Sequence, residues 1–221
     1  MPSTPNELKV ISLCSYLTGE LKARSIDWPA IKMVKALKGD PINGYFDLSL
    51  SGVTHRFTQQ NVSEFLDFVP RAMASAILQR IEGHATLVPI PNSHVVRPDE
   101  PNFPTLNLAN GIAAASGGRL KTAAALVFAE PQEKARKGGP RGADHLQVAY
   151  KIIGNVEGPV ILIDDVWTLG GHLKAACRKL KSPQRSIILA CTVAHTTHEH
   201  VDEPVAVQEH TIDLRRAVPS L

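Results

Sequence analysis

The sequence predicts an α/β protein: a mostly parallel twisted sheet flanked by helices, with a helix and hairpin segment ahead of it. Three observations lead there. Short aliphatic runs near residues 86, 123, 160 and 186 alternate with helical patterns near 105 and 172, the succession that crossover connections produce in parallel sheets. Residues 160–163 and 186–193 are apolar almost without interruption, as strands covered on both faces are. Polar or glycine-rich loops follow three of the runs, at the sheet edge where open α/β folds take ligands.

Composition agrees with that class. With 221 residues and 43% hydrophobic content, the chain can enclose one sizeable core. Aromatics make up only 5%, so that core is built from Ala, Val, Ile and Leu. A net charge of +3 and a pI of about 8.8 are too mild to argue for nucleic acid by themselves, and they suit a small anionic ligand. Cys14, Cys177 and Cys191 form no CxxC pair, and reduced buried thiols are expected. Neither a signal peptide nor an apolar run of membrane-spanning length is seen, which points to a cytoplasmic protein with no membrane partner.

Residues 1–82 form a first segment without a catalytic constellation. Leu13, Tyr16 and Leu17 are read as a short helix. Trp28-Pro29 opens a second helix, with Ile31, Val34 and Leu37 on one face and Gly39 as terminator. Residues 45–50 and 53–58 read as a hairpin around Ser51-Gly52. From 62 to 81 the pattern is helical through Phe65, Val69, Met73 and Ile77, but Pro70 interrupts it, so two helices or a kink are expected. The segment reads as a hood beside the main sheet.

The core, 83–221, opens with a strand at 87–90 whose carboxyl end carries the turn Pro91-Asn92-Ser93-His94. A prolyl stretch, 97–104, leads into a helix with Leu106, Ala109 and Ile112, and a strand comes next at 123–128. Residues 129–145 then read as a flexible basic loop, with Lys134, Arg136, Lys137 and Arg141 set among Gly138, Gly139, Pro140 and Gly142. Such a loop is either a solvated linker or a lid over a polyanion.

The organising stretch is 158–180. An apolar strand at 160–163 ends in Asp164 and Asp165; Thr168-Leu169-Gly170-Gly171-His172 breaks the chain; Leu173, Ala176, Cys177 and Leu180 then recur at helical spacing. A strand, a glycine bend and a helix start make a place where backbone N–H groups face an anion. Two carboxylates beside it suit sugar hydroxyls, bonded directly or through Mg²⁺. No G-x-G-x-x-G comes after a strand and no G-x-x-x-x-G-K-[ST] occurs, so dinucleotide and P-loop chemistry lack support. The acidic pair also stands too late in the chain for a receiver domain. Downstream, 186–193 is another buried strand, Val205, Val207 and Ile212 are read as an edge strand, and His195, His198 and His200 as a polar loop without the helical context of a metal site.

Asp164, Asp165, Thr168, Gly170 and Gly171 together resemble the signature of type I phosphoribosyltransferases, with His172 standing where that family usually has Thr or Ser. Val88-Pro89-Ile90-Pro91, Gln132 and Arg141 are similar to the competence-protein (ComF-like) branch. The resemblance covers roughly residues 84–195. It implies transfer of a phosphoribosyl group from 5-phosphoribosyl-1-diphosphate (PRPP) to a nitrogenous acceptor, with release of pyrophosphate. It implies that Asp164 and Asp165 hold the ribose hydroxyls and Mg²⁺, that Thr168, Leu169, Gly170, Gly171 and His172 hold the 5′-phosphate, and that Pro91, Asn92, Ser93 and His94 hold pyrophosphate. Lys134, Arg136, Lys137 and Arg141 would cover the leaving group. The acceptor is not specified, and a homodimer is compatible with the family. A non-catalytic regulator that keeps the PRPP site is the alternative; nucleic-acid binding through the basic loop is a third reading, marked by steep salt dependence.

Overall fold

A computed structural model describes residues 6–50, 52–133 and 142–216, with only the backbone described at Leu50. Its centre is β8, Gly158–Trp167. Val160, Ile161, Leu162 and Ile163 are all fully buried, because both faces of this strand are covered. β8 pairs in parallel with β4 (Ala85–Pro89) on one side and β9 (Arg185–Thr197) on the other. Parallel β5 (Leu120–Thr122) closes the β4 side. Parallel β1 (Glu7–Leu17) and antiparallel β10 (Gln208–Asp213) complete the order β10-β1-β9-β8-β4-β5. The protein is thus an α/β fold with a mostly parallel sheet, and one antiparallel strand at its edge.

Alternation along β8 divides the core. Ile161 and Ile163 face α1 (Trp28–Leu37), α2 (Val62–Leu78) and α3 (Pro104–Ala114), whereas Val160 and Leu162 face α4 (Ala143–Ala149) and α5 (Gly171–Leu180). The hairpin of β2 (Tyr45–Leu50) and β3 (Val53–Thr58) joins the first of these layers through Phe46 and Phe57, which meet Phe65 edge-on at 5.2 and 5.6 Å. A separate two-stranded pair, β6 (Leu126–Phe128) with β7 (Tyr150–Ile152), flanks the connection between residues 128 and 150. Among the described residues no helix is long and apolar enough to cross a membrane. The three cysteines are free and buried, and burial pushes the Cys14 thiol up to about 12 and that of Cys177 to about 11.

Several elements differ from the sequence expectation. Leu13, Tyr16 and Leu17 lie in β1, not in a helix: residues 10–14 are all buried between two neighbouring strands, a pattern that mimics a helical stripe when read alone. The segment 1–82 therefore supplies a strand of the main sheet as well as the hairpin and helices above it. Of the strand expected at 123–128 only the last three residues form one, and the strand that joins the main sheet lies ahead of it. Leu120–Thr122 pairs with β4, the chain leaves the sheet at Ala123, and Leu126–Phe128 pairs with β7 instead. The edge strand includes Ile212 but not Val205 or Val207.

Pro70 lies inside one continuous helix, α2. Proline there costs roughly 3 kcal/mol. Burial of Phe65, Phe68, Met73 and Ile77 on the same helix outweighs it at about 1.5–3 kcal/mol apiece. The ring is accommodated because Gly111 on α3 has no side chain: a Cβ there would lie 2.8 Å from Pro70 Cβ and Cγ. Gly111→Ala is therefore expected to destabilise the protein by about 1–3 kcal/mol in urea unfolding. In the double variant with Pro70→Ala the loss should be smaller than the sum of the two single losses.

Candidate functional site

The carboxyl ends of two neighbouring parallel strands build the site. β4 hands over at Ile90, whose N–H donates to the Ile163 carbonyl of β8 at 2.8 Å, so the turn 91–94 begins beside the end of the apolar run in β8. The turn is held from several sides. Asn92 Oδ1 accepts from the His94 N–H at 3.2 Å while its amide donates to the Asn102 carbonyl at 3.0 Å. The Thr105 hydroxyl at the start of α3 donates to the Ile90 carbonyl at 2.6 Å, and the Gln132 N–H donates to the Ser93 carbonyl at 2.7 Å. Between this turn and β8 opens a cleft of about 440 Å³, lined by Pro91, Asn92, Ser93 and His94 together with Asp164, Asp165 and His172.

The acidic pair is part of the strand, because β8 continues through Trp167 in register with β9. Each carboxylate uses one oxygen to accept a neighbouring backbone N–H: Asp164 Oδ1 from Asp165 at 2.9 Å and Asp165 Oδ1 from Val166 at 2.6 Å. Glu133 also lines the cleft, and among the described lining residues there is no Lys or Arg. Negative charge is thus gathered without a described cation to balance it. Burial, then the Asp165 charge, raises the Asp164 carboxyl well above the usual carboxylate range.

His172 stands in the first turn of α5, and its Nδ1 lies 2.7 Å from the Tyr150 hydroxyl. Burial lowers its pKa, opposed by the charge of Asp165, while burial and then Asp164 raise that of Tyr150. The imidazole is therefore neutral at neutral pH, and the phenol keeps its proton.

The structure does not bring the rest of the expected phosphate cradle into this cleft. Thr168, Leu169, Gly170 and Gly171 are absent from its lining, and Thr168 is exposed to solvent. The cause is the length of β8, which runs four residues past Ile163 to Trp167 before the bend begins. There Gly170 adopts φ +72°, and a Cβ would lie 2.9 Å from Ile212 Cδ1. Its lack of a side chain is explained by close packing and a left-handed backbone. Lys134, Arg136, Lys137 and Arg141 lie outside the described residues. The three histidines of the tail diverge: His195 stacks on Trp167 with centroids 4.1 Å apart, His198 lies against Gly19, and His200 Nδ1 is 3.3 Å from Asp27.

Sequence reasoning missed Tyr150, Phe128, Asn102 and Thr105 as parts of the site. A lone tyrosine between Ala149 and Lys151 has no periodicity to expose it, Phe128 reads only as the end of a strand, Asn102 only as part of a prolyl connection and Thr105 only as a helix start. No family model matches the sequence, and no curated protein is matched by it. Among solved structures, that of Leishmania donovani UMP synthase is similar with a TM-score of 0.36 and 14% identity, over 75% of this chain and 31% of that one. The chain thus spans about a third of the length of that protein, and a likeness of this degree carries no argument about the site.

Asp164→Asn removes a carboxylate whose ionised form is disfavoured in the fold. Because the folded pKa lies above the ordinary 3.8, the wild type bears the full cost above the raised value and sheds it as the pH falls toward 3.8. The variant is expected to melt at a higher temperature at neutral and alkaline pH, with the gap narrowing as the pH is lowered, by circular dichroism. An equal or lower melting temperature at neutral pH would mean that the charge is compensated.

Proposed function

We propose that the cleft binds a phosphorylated sugar of the PRPP class and that the protein transfers its phosphoribosyl group to a nitrogenous acceptor, releasing pyrophosphate. The observation that carries this reading is the convergence of Asp164 and Asp165 with the turn 91–94 on one cleft, at the carboxyl ends of adjacent parallel strands. Two adjacent carboxylates suit the paired hydroxyls of a ribose. The turn offers side-chain amide, hydroxyl and imidazole groups of Asn92, Ser93 and His94 to a diphosphate. Walls of Ile90, Phe128 and Leu146 exclude water, which competes with any acceptor for an activated sugar. The resemblance to the ComF-like branch rests on sequence motifs and joins this reading as part of the proposal.

Asp164 and Asp165 also fit Mg²⁺. The two carboxylates stand side by side at the cleft, each using one oxygen to accept a backbone N–H, and hard oxygen donors are what that ion takes. Bound there, Mg²⁺ would supply positive charge to a departing diphosphate. The acidic pair orients the sugar and favours the cationic character of its ring as the C1 bond breaks. Lys134, Arg136, Lys137 and Arg141, whose segment comes directly after the cleft-lining Glu133 in sequence, are the chain's own source of cations for the leaving group.

A second reading, a regulator that binds PRPP or a nucleotide without catalysis, draws support from the bend. With Gly170 packed on Ile212, four of the five residues that the resemblance assigns to a 5′-phosphate, Thr168, Leu169, Gly170 and Gly171, stand outside the described cleft. Calorimetry with PRPP and MgCl₂, followed by a pyrophosphate-release screen over bases and amines, separates the two. Binding with release supports transfer; binding without release supports regulation. Asp164→Asn with Asp165→Asn is expected to weaken PRPP binding by about 10–100-fold, since charge-assisted hydrogen bonds are worth about 1.5–3 kcal/mol. Unchanged affinity would remove the acidic pair from the site.

A further inference from the structure

The first turn of α5 carries the departure from the phosphoribosyltransferase signature, and its surroundings give that departure a role. His172 lines the cleft, yet one edge of its ring is engaged by the Tyr150 hydroxyl at 2.7 Å. Phe128 and Tyr150 are partners in the β6–β7 pair, their ring centroids 4.7 Å apart, and Phe128 stands edge-on to the imidazole at 6.5 Å. Residues at the two ends of one connection therefore hold the ring. Tyr150 is only 1% exposed, and His172 is its one hydrogen-bond partner among the described residues.

Hydrogen-bond accounting then fixes the tautomer. If Nδ1 carried the proton and donated it to the phenol oxygen, the buried phenol O–H would have no described acceptor, at a cost of about 1–3 kcal/mol. If the phenol donates to Nδ1, both groups are satisfied and the neutral ring carries its proton on Nε2. Burial acts in the same direction, since it keeps the phenol protonated and the imidazole uncharged. Nδ1 and Nε2 occupy different edges of the ring, so with Nδ1 engaged by Tyr150 it is Nε2 that is left for a ligand.

We propose that Tyr150 is a positioning residue that fixes His172 as an Nε2–H donor, and that this donor holds an oxygen of the bound sugar phosphate where the signature has a hydroxyl side chain. The inference rests on reading the cleft as a sugar-phosphate site. A neutral, fixed donor matters because the described lining holds Asp164, Asp165 and Glu133 and no Lys or Arg. It offers a hydrogen bond to a ligand oxygen without having to be a cation. It also changes the ligand's seat: an imidazole reaches further from the backbone than a hydroxyl does, so the oxygen it holds sits further from the helix start.

The test combines histidine side-chain ¹⁵N spectra of the ligand-free full chain, assigned against His172→Gln, with calorimetric titration of PRPP in MgCl₂. The wild type should show a protonated Nε2 and a bare Nδ1 at His172. In Tyr150→Phe both tautomers should be populated and PRPP affinity should fall about 10-fold, the worth of one hydrogen bond. His172→Leu should lose as much, whereas His172→Gln, which keeps an amide donor, should lose less. This pair decides the donor role should Tyr150→Phe fail to fold. A proton on Nδ1 in the wild type overturns the proposal. So does Tyr150→Phe with mixed tautomers and unchanged affinity, or His172→Leu binding as the wild type does. If the wild type binds no PRPP, the sugar-phosphate reading fails together with the ligand assigned to His172. The tautomer spectra, recorded without ligand, then still support or overturn the positioning role of Tyr150.

Discussion

The covering of β8 on both faces is the constraint on which the rest of the structure depends. Its four central side chains are fully buried, two against each helical layer, so the strand can sit only inside a sheet with helices above and below. Sliding its register by one residue would exchange the two sets, and since both faces are apolar the hydrophobic pattern alone would not resist this. Register is instead fixed by the residues after the apolar run. Asp164 and Asp165 interrupt the apolar run, so they mark where the two hydrophobic layers stop and place the cleft at the carboxyl edge. β4 ends beside them: its five residues are buried, and after Ile90 and Pro91 the chain turns polar at Asn92.

That edge concentrates charge at a cost to the fold. Asp27 and Asp47, by contrast, each meet an arginine that holds the carboxyl below its ordinary value. Among the described residues Asp164 meets no such partner; burial and its neighbour push it the other way. A pair of strand carboxylates facing one cleft with no described cation is an arrangement the fold does not need for packing. Strain of this kind is what a ligand or ion that brings positive charge or hydroxyl donors would relieve, and groups so perturbed gather at functional sites.

Much of this was legible in the residues. The apolar runs at 160–163 and 186–193 identified the central strands, and the acidic pair and the turn 91–94 were placed on one edge because open α/β sheets bind ligands there. The features that stayed hidden depended on partners distant in sequence. β1 looks helical until β9 and β10 are laid on either side of it. Of residues 123–128 only the last three form a strand, and their partner is β7, a strand only three residues long that no pattern announces. Tyr150 acquires meaning only when α5 brings His172 to its hydroxyl.

The glycine bend shows how one motif can carry two kinds of information. Glycine is favoured at 170 whatever the ligand, because its φ is positive and Ile212 Cδ1 lies where a side chain would begin. Its match to a phosphate-binding signature is therefore satisfied by packing alone and lends little weight to function. Thr168, exposed to solvent and outside the cleft, adds none. The functional weight shifts to residues for which the fold offers no packing reason: Asp164, Asp165, and an imidazole held at a helix start by a buried phenol. These three share one cleft with the turn 91–94, and a site that joins carboxylates to neutral donors would suit a ligand richer in hydroxyl groups than in bare anionic charge, unless a cation arrives with it.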